Sequence, residues 1–226
     1  MNEFAILVPA REGSKRLPGK NLKHLGGKSL LQRTAEFARE GARGIPVYLS
    51  TDSPAIAEQG RLNGWEVPFL RPSHLATDQA TSVSVALHFL DYMAQHGVEP
   101  KNLVLLQPTS PFRRPALLSE AINKMISDSS IPAIVAMKDL NRSSMNTFTT
   151  DDEGRAKSLS FDRRSLLTPN GSLYAIQVSV LKEKQTFAPD GLLPIVLGDV
   201  DSIDIDTTFD WQIAESVVSE WDKNNG

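Results

Sequence analysis

Residues 4–21 read FAILVPAREGSKRLPGKN, and the change of character within this stretch decides the fold. Phe4–Val8 is a continuous apolar run of strand length, which is typical of a strand buried on both faces of a parallel sheet. The residues after it form a loop of glycine, serine and cations. A strand that runs into such a loop presents backbone N–H groups and positive side chains together, as a bound polyphosphate requires.

Short apolar runs alternate with longer segments of helical period from residue 4 to about residue 137. The predicted strands are Phe4–Val8, Pro46–Ser50, Glu66–Leu70, Leu103–Gln107, Ala133–Met137, Ser172–Ile176 and Ile195–Leu197. The predicted helices are Ser29–Arg39, Pro54–Leu62, Thr81–Gln95 and a last one capped by Thr207 or Thr208, with Ile213, Val217 and Trp221 on one face. Because helical crossovers join parallel strands, the pattern predicts an α/β protein with a largely parallel sheet. Ligands bind such sheets beyond the carboxyl ends of the strands.

At 226 residues the chain has the length of one domain, and it contains no internal repeat or low-complexity linker. We therefore expect a single domain over residues 1–226. Residues 138–169 interrupt the alternation because they are polar and weakly periodic. A long stretch without regular structure is usually functional or part of an interface, so we expect an excursion that helps to form a site or a dimer contact. A plain surface loop is the alternative.

The composition excludes several classes of protein. With no cysteine there is no thiolate nucleophile, zinc ribbon, iron–sulfur cluster or disulfide. The four histidines lack the i, i+4 pairing of a helical metal site. No apolar stretch is long enough to span a membrane and the start carries no export signal, so we expect a soluble, cytoplasmic protein. The balance of 24 Lys and Arg against 27 Asp and Glu argues against a nucleic-acid partner.

The positive charge is nevertheless concentrated in one place. Six Lys and Arg residues lie between Arg11 and Lys28, against the single acid Glu12. The loop is not a Walker A motif, because Gly19-Lys20 is followed by Asn21 where that motif needs serine or threonine. It indicates a binding site for a polyphosphate, and a merely solvated basic loop is the alternative.

Two further strand ends carry polar groups. In the segment SIDIDT, residues 202–207, an extended backbone points Asp204 and Asp206 the same way. Two close carboxylates repel unless a cation or protons lie between them, and such oxygen ligands suit Mg²⁺. A strand followed by a helix cap is the alternative. Gln107, at another strand end, offers the donor and acceptor that a base edge needs.

Six motifs stand in an order and spacing that resemble one family. They are PAREGSKRLPGKN (9–21), STD (50–52), FLRP (69–72), LQPTSP (106–111), PNGSLY (169–174) and SIDIDT (202–207). The family is that of the acylneuraminate cytidylyltransferases, which are the CMP-sialic acid synthetases and their legionaminate and pseudaminate relatives. The resemblance covers nearly the whole chain.

The resemblance implies a nucleotide-diphospho-sugar transferase domain, Rossmann-like, with a small excursion that exchanges contacts in a homodimer. It implies that CTP and a nonulosonic acid give the CMP-sugar and pyrophosphate with Mg²⁺, for cell-surface glycan biosynthesis. The catalytic residues that it implies are Arg11, Lys20, Asp204 and Asp206, the last two as Mg²⁺ ligands. The implied nucleotide-binding residues are Arg11, Ser14, Lys15, Lys20, Asn21, Arg71, Ser82 and Gln107. The implied acceptor-binding residues are Gln107, Arg164, Asn170 and Gly171.

The acceptor region departs from the family pattern, which leaves an alternative acceptor open. Thr168 stands where bacterial members commonly carry arginine, and Ser165 follows Arg163-Arg164 where they carry glutamine. The alternative is a nucleotidyltransferase that acts on a sugar 1-phosphate. A catalytically silent nucleotide-sensing protein is a further alternative, against which the costly pair of carboxylates argues.

Overall fold

The computed structural model describes residues 3–140, 148–158 and 166–225. The strands are β1 (Phe4–Pro9), β2 (His24–Leu25), β3 (Lys28–Ser29), β4 (Val47–Ser50), β5 (Asn102–Leu105), β6 (Ala133–Asp139), β7 (Phe148–Thr150), β8 (Ala156–Ser158), β9 (Leu167–Gln177) and β10 (Leu193–Leu197). The α-helices are α1 (Leu30–Gly41), α2 (Pro54–Leu62), α3 (Ser82–Gln95), α4 (Pro115–Ser127), α5 (Val178–Lys184) and α6 (Thr208–Asn225). Two short 3-10 helices cover Lys20–Leu22 and Ser73–Leu75.

Six strands form the central sheet in the order β10-β6-β9-β5-β1-β4. β1 is parallel to β4 and β5, and β10 is parallel to β6. β9 runs antiparallel to both of its neighbours, β5 and β6. The predicted α/β class with a mostly parallel sheet is therefore confirmed. The other five strands end at the same edge of the sheet, where the loops that carry the predicted site residues begin.

The central strands are buried on both faces, as their continuous apolar sequence predicts. Ile6 and Val8 belong to a core cluster beneath α1 and α4, whereas Ala5 and Leu7 belong to a second cluster beneath α3. All four side chains are almost completely inaccessible to solvent. Each fully buried aliphatic side chain contributes roughly 1.5–3 kcal/mol to folding. The burial of β1 on both faces therefore fixes the position at which the following loop begins.

One predicted strand is wrong, and two helices were not predicted. Glu66–Leu70 makes only isolated bridges to Tyr48 and Thr51, because Pro68 has no N–H to continue a ladder. α4 and α5 are helices that the strand and helix assignment missed. Ile213, placed on the buried face of the last helix, is 39% exposed, and the buried positions are Trp211, Ala214 and Val218. The cap prediction is correct, since Thr207 Oγ1 accepts from Asp210 N at 3.2 Å.

The segment 138–169 also differs from its expected irregular character. β6 extends to Asp139 and β9 begins at Leu167, so both ends of the segment belong to the central sheet. β7 and β8 pair as a separate antiparallel ribbon. The turn between them is held by Asp151, whose Oδ1 accepts from Arg155 N at 2.8 Å. Of the residues that the structure describes, none lies in a helix long and apolar enough to cross a membrane.

A third cluster, here called the α6 cluster, joins the last helix to the loop after β1. Its buried side chains are Leu17, Leu25, Leu30, Phe112, Ile205, Trp211, Ala214 and Val218. Arg33 of α1 and Asp222 of α6 form two parallel hydrogen bonds of 2.8 and 2.7 Å beside it. Because Leu17 and Ile205 pack in the same cluster, residues 11–21 and 203–206 are brought together from opposite ends of the chain.

Candidate active site

Two cavities lie side by side where these two segments meet. The first, here called the Gln107 cavity, has a volume of about 260 Å³. It is lined by Pro9, Arg11, Lys20, Asn21, Arg71, Ala80, Ser82, Val85, Gln107, Pro108, Thr109, Asp204 and Asp206. The second, here called the Asp78 cavity, has a volume of about 330 Å³ and is lined by Arg11, Ser14, Lys15, Arg16, Lys20, Asn21, Asp78 and Asp206. Four residues line both cavities, so a single extended ligand can occupy them together.

The Asp78 cavity is dominated by four cations held on two carboxylates. Arg11 Nη2 and Lys15 Nζ lie 2.6 and 2.8 Å from the oxygens of Asp78. Arg16 Nη2 and Lys20 Nζ each lie 2.9 Å from an oxygen of Asp206. Four positive groups against two negative ones leave the cavity with a net positive charge. It therefore suits a polyanion, as the basic loop predicted.

The loop that carries these cations is held by its own backbone and by β4. Asn21 Nδ2 donates to the carbonyl of Arg11 at 3.0 Å, which closes the loop on itself. Glu12 N donates to Asp52 Oδ1 at 3.0 Å. Lys20 is only 13% exposed, and its Nζ also donates to the carbonyl of Ile205 at 3.0 Å. The loop thus presents Lys20 in a defined position between the two cavities.

Asp204 and Asp206 have different electrostatic surroundings. The pKa of Asp204 is raised, chiefly by burial and further by the charge of Asp206. A hydrogen bond from Thr109 and the charges of Lys20 and Arg113 act in the opposite direction and only partly offset this rise. Partial burial would also raise the pKa of Asp206, but the hydrogen bond and charge of Lys20, with Arg16, hold it below its usual range. The charge of Asp206 acts on Asp204, as the extended pattern predicted for two neighbouring carboxylates. Among the described residues no group of three or more acidic, histidine or cysteine side chains could hold a metal.

Pro169, Asn170 and Gly171 lie within strand β9, where its register with β6 shifts, and this stretch is here called the PNG turn. Gly171 lies beside Gln107, which lines the Gln107 cavity. Its φ of +83° is in the left-handed region, and a Cβ atom there would lie 2.8 Å from Gln107 Oε1 and 2.9 Å from Ser110 Oγ. The neighbouring Asn170 is buried and is used within the turn. Its Nδ2 donates to Ser202 Oγ at 3.0 Å, and its Oδ1 accepts from Ser172 N at 3.1 Å. Gly171 therefore approaches the cavity by its backbone, whereas Asn170 shapes the turn.

Arg71 reaches the same cavity from the segment before α3, and Ser82 reaches it as the first residue of α3. Arg71 is buried, and its Nε donates to Ser50 Oγ at 3.0 Å while Nη2 donates to the carbonyl of Ser50. Burial lowers the pKa of Arg71 to about 10. The positive charge of Arg11 lowers this pKa further, whereas the negative charge of Asp52 raises it. Arg71 is thus still a cation at neutral pH. Ser82 Oγ lies 3.5 Å from Gln107 Nε2.

Comparison with known proteins agrees with this arrangement. Residues 5–166 match the family described as Cytidylyltransferase. The chain belongs to the cytidylyltransferase family. It is 31% identical over 221 residues to the CMP-N,N'-diacetyllegionaminic acid synthase of Legionella pneumophila, and the match covers 94% of each chain. The resemblance inferred from the six motifs is therefore confirmed.

Two further comparisons extend this result. The chain is 28% identical over 222 residues to an N-acylneuraminate cytidylyltransferase of Escherichia coli, covering 95% of this chain but 52% of that protein. It thus spans about half the length of this relative. The structure of a CMP:2-keto-3-deoxy-manno-octonic acid synthetase complexed with CTP superposes with a TM-score of 0.71 at 19% identity, covering 96% of this chain and 99% of the other. That likeness confirms the predicted Rossmann-like nucleotidyltransferase fold.

Most of the residues predicted for the site of this cytidylyltransferase lie in the two cavities. Asn170 and Gly171 lie in the turn beside Gln107, and Arg164 lies outside the described residues. The functional roles of all of them remain predictions.

Three site residues of the cytidylyltransferase were missed by the sequence reasoning. Asp78 stands in a loop with no motif, and no local pattern indicates its pairing with Arg11. The Thr109 side chain donates a hydrogen bond to the Asp204 carboxylate. Arg113 Nη2 donates to the carbonyl of Gln107. Both belong to the stretch around LQPTSP that was quoted for the family, but only their tertiary neighbours reveal their contacts.

Arg113 is a cation without a carboxylate partner among the described residues. Its Nη1 lies 3.3 Å from Thr34 Oγ1, and its guanidinium carbon lies 5.3 Å from the centre of the Phe37 ring. Its buried Nε has no hydrogen-bond partner within residues 3–140, 148–158 and 166–225. Burial lowers the pKa of Arg113 to about 9, against the attraction of Asp204. The side chain therefore places a positive charge behind the Gln107 cavity.

Proposed function

We propose that this cytidylyltransferase is a CMP-nonulosonic acid synthetase, which joins CMP from CTP to a sialic-acid-like sugar and releases pyrophosphate. The observation that carries the proposal is the pair of adjoining cavities. One is cationic and the other polar, and they share Arg11, Lys20, Asn21 and Asp206. The cationic cavity suits a triphosphate, and the polar cavity suits a nucleoside and a sugar.

The triphosphate is assigned to the Asp78 cavity. Arg11, Lys15 and Lys20 would contact its oxygens, with Ser14 supplying a hydroxyl and Arg16 a further charge. Charge-assisted hydrogen bonds to phosphate are stronger than neutral ones. They also matter for rate, because negative charge accumulates on the departing pyrophosphate in the transition state.

The nucleoside is assigned to the Gln107 cavity. Asn21, Arg71, Ser82 and Gln107 line it and offer donors and acceptors for a base and a ribose. The sugar is assigned to the side of this cavity bordered by the turn at Asn170 and Gly171. The predicted contact of Arg164 with the acceptor belongs to this proposal as well.

Mg²⁺ is assigned to Asp204 and Asp206. The donor set fits this ion, because carboxylate oxygens are hard ligands and the charge of Asp206 is close enough to raise the pKa of Asp204. Phosphate oxygens and water would complete the coordination, since the described residues include no third carboxylate in a metal-binding group. When bound, the ion stabilises negative charge on the phosphate oxygens.

In the proposed reaction the anomeric hydroxyl oxygen of the sugar forms a bond to the α-phosphorus. The bond between that phosphorus and the oxygen bridging to the β-phosphorus breaks, and the electron pair leaves with pyrophosphate. The hydroxyl proton passes to a carboxylate of the Asp204 and Asp206 pair. Arg11, Lys15 and Lys20 neutralise the leaving group, and positioning of both substrates contributes much of the remaining acceleration.

The acceptor is assigned as a nonulosonic acid. The names of the relatives, which refer to legionaminic and N-acylneuraminic acids, support this assignment over a sugar 1-phosphate. The altered residues Ser165 and Thr168 lie in the region where the family meets the acceptor, so they are expected to affect which nonulosonic acid is used.

The decisive experiment measures pyrophosphate release with Mg²⁺. CTP, UTP, GTP and ATP are each combined with N-acetylneuraminate, legionaminate, pseudaminate and several sugar 1-phosphates, with Asp206→Asn as the inactive control. Release only with CTP and a nonulosonic acid supports the proposal and identifies the substrate. Release only with a sugar 1-phosphate would contradict the acceptor assignment, and no release with any pair would contradict the activity.

We also propose that the enzyme acts as a homodimer in the cytoplasm and supplies a pathway of cell-surface glycan biosynthesis. The family resemblance supports the dimer, with residues 138–169 as the predicted contact, and the absence of cysteine is compatible with a reducing compartment. Light scattering of the purified protein tests the dimer. A mass of one chain at micromolar concentration would contradict it.

A further inference from the structure

Asp78 is one of two carboxylates that line a cavity with four cations. It lies in the loop between the 3-10 helix Ser73–Leu75 and α3, and its two oxygens each hold a different cation. Arg11 also donates through Nη1 to the carbonyl of Ala76 at 3.4 Å, so the same loop is bound twice to Arg11. The ion pair between Arg11 and Asp78 joins residues that are 67 positions apart in the chain.

The two carboxylates of the Asp78 cavity are used differently. Asp206 lies beside Asp204, and the proposed function gives it a second partner in Mg²⁺. Asp78 lines only the Asp78 cavity, where it faces the cations assigned to the triphosphate. A fixed negative charge at this position opposes the binding of phosphate, so its cost requires a compensating role.

The ion pairs of Asp78 are easily exchanged. The side chain of Asp78 is 44% exposed, and that of Lys15 is 83% exposed. Exposed ion pairs contribute little to stability because water and salt screen them. A phosphate group, which carries more charge and more acceptor oxygens than one carboxylate, can therefore displace Asp78 from both cations.

We propose that Asp78 is a positioning residue that exchanges with the substrate's phosphates for Arg11 and Lys15. Before CTP binds, Asp78 occupies the two cations, as the ion pairs with Arg11 and Lys15 show. When CTP binds, its terminal phosphates take the cations, and after transfer Asp78 takes them back as pyrophosphate leaves. The Asp78 carboxylate thus lowers the affinity of the site for pyrophosphate and promotes product release. The inference rests on the proposed triphosphate site.

The test measures the binding of inorganic pyrophosphate by calorimetry, without CTP or sugar. Asp78→Asn keeps the shape of the side chain and removes its charge, so we expect pyrophosphate to bind about three- to tenfold more tightly. Glu58→Gln removes a carboxylate from an exposed ion pair with Arg61 and is the matched control, for which affinity should not change. Thermal unfolding checks that the variants are folded, and Asp78→Ser serves as a second variant.

A double-mutant cycle links the gain to the two cations. In a Lys15→Met background, Asp78→Asn should tighten pyrophosphate binding less than it does in the native chain, because one of its two partners is gone. In steady-state assays we expect Asp78→Asn to show stronger product inhibition by pyrophosphate and a lower KM for CTP. A purely structural role of Asp78 would instead lower affinity and thermal stability together.

The two proposals fail in different ways. If the native protein does not bind pyrophosphate, the triphosphate site itself is wrong. If the native protein binds pyrophosphate and both Asp78 variants bind it equally or more weakly, the exchange role of Asp78 is wrong while the proposed function stands.

Discussion

Asp206 is the residue on which both cavities depend. It lines the Gln107 cavity and the Asp78 cavity, and its two oxygens hold Lys20 and Arg16. Its backbone N–H donates to Asp210 Oδ2 at 3.0 Å, so the start of α6 fixes its position. One carboxylate therefore organises two cations and, under the proposed function, a metal ion.

Asp206→Asn should reduce turnover by at least about a hundredfold, because it removes a charge that acts on both the cations and the metal. The effect on stability should be small, since the side chain is 42% exposed. Pyrophosphate release and circular dichroism measure the two effects. Asp128→Asn, in the exposed turn after α4, is the control and should keep full activity. Near-native turnover of Asp206→Asn would refute the site assignment.

Substitutions of Arg113 should affect the free energy of unfolding and the enzymatic activity differently. Burying an isolated charge is costly, so Arg113→Met relieves that cost, while the loss of the hydrogen bond to the carbonyl of Gln107 opposes the gain. For Arg113→Met we expect the free energy of unfolding to rise or to fall by less than about 1 kcal/mol. Arg113→Ala leaves a cavity and should cost about 3 kcal/mol.

The activity of Arg113→Met should nevertheless fall by about tenfold or more, because the carbonyl of Gln107 loses its anchor and the cavity wall shifts. Chemical denaturation and the kcat and KM for CTP measure the two effects separately. Full activity in Arg113→Met would show that the charge has no role in positioning Gln107.

At the scale of the elements, the PNG turn at the start of β9 sets how closely the backbone approaches the cavity. Gly171→Ala adds a methyl group against Gln107 and Ser110 and strains a positive φ. We expect a loss of about 1–3 kcal/mol in stability and a loss of activity of about tenfold or more.

Gly191→Ala is the matched control for this turn. Gly191 has a φ of +80°, but a Cβ atom there would meet only Pro132 at 3.9 Å. This variant should lose about 1 kcal/mol of stability from backbone strain and keep its activity. Denaturation and pyrophosphate release compare the two variants, and equal activity of both would show that the close approach at Gly171 is unimportant.

At the scale of the whole molecule, the pair of Arg33 and Asp222 ties the last helix to the first. The hydrogen bonds from Arg33 hold the pKa of Asp222 below its usual range against partial burial, and the charge of Arg33 adds to this. Because the folded pKa is lower than the unfolded one, the stabilisation is present above the ordinary pKa. It is lost as the pH falls through the lowered folded value.

Asp222→Asn should therefore lower the free energy of unfolding by about 1–2 kcal/mol at neutral pH, a value reduced for the partial exposure of Asp222. The difference from the native protein should disappear once the pH lies below the lowered folded pKa of Asp222, where the native carboxyl is also neutral. Urea denaturation across pH 2–7 measures this. Glu36→Gln, in the exposed pair with Lys28, should change stability by less than about 0.5 kcal/mol. A difference for Asp222→Asn that is independent of pH would contradict the linkage.

Much of the fold could be predicted from local patterns. The continuous apolar run at Phe4–Val8 indicates a strand buried on both faces, and the helical periods between such runs indicate crossovers. The antiparallel direction of β9 could not be predicted, because an apolar run does not specify which way a buried strand runs. The strand wrongly predicted at Glu66–Leu70 is a different case, because Pro68, which interrupts the ladder, is visible in the sequence and argues against a central strand there.

The sequence by itself determined the α/β class, the family, the cationic loop from Arg11 to Lys20 and the pair Asp204 and Asp206. All of these are carried by residue type and short spacing, which a single chain displays directly. Only the tertiary structure decided that Asp78 pairs with Arg11 and Lys15, and that Arg113 donates to the carbonyl of Gln107. Such contacts depend on how distant segments pack around the sheet, and no local pattern encodes the distance between two side chains that are 67 positions apart.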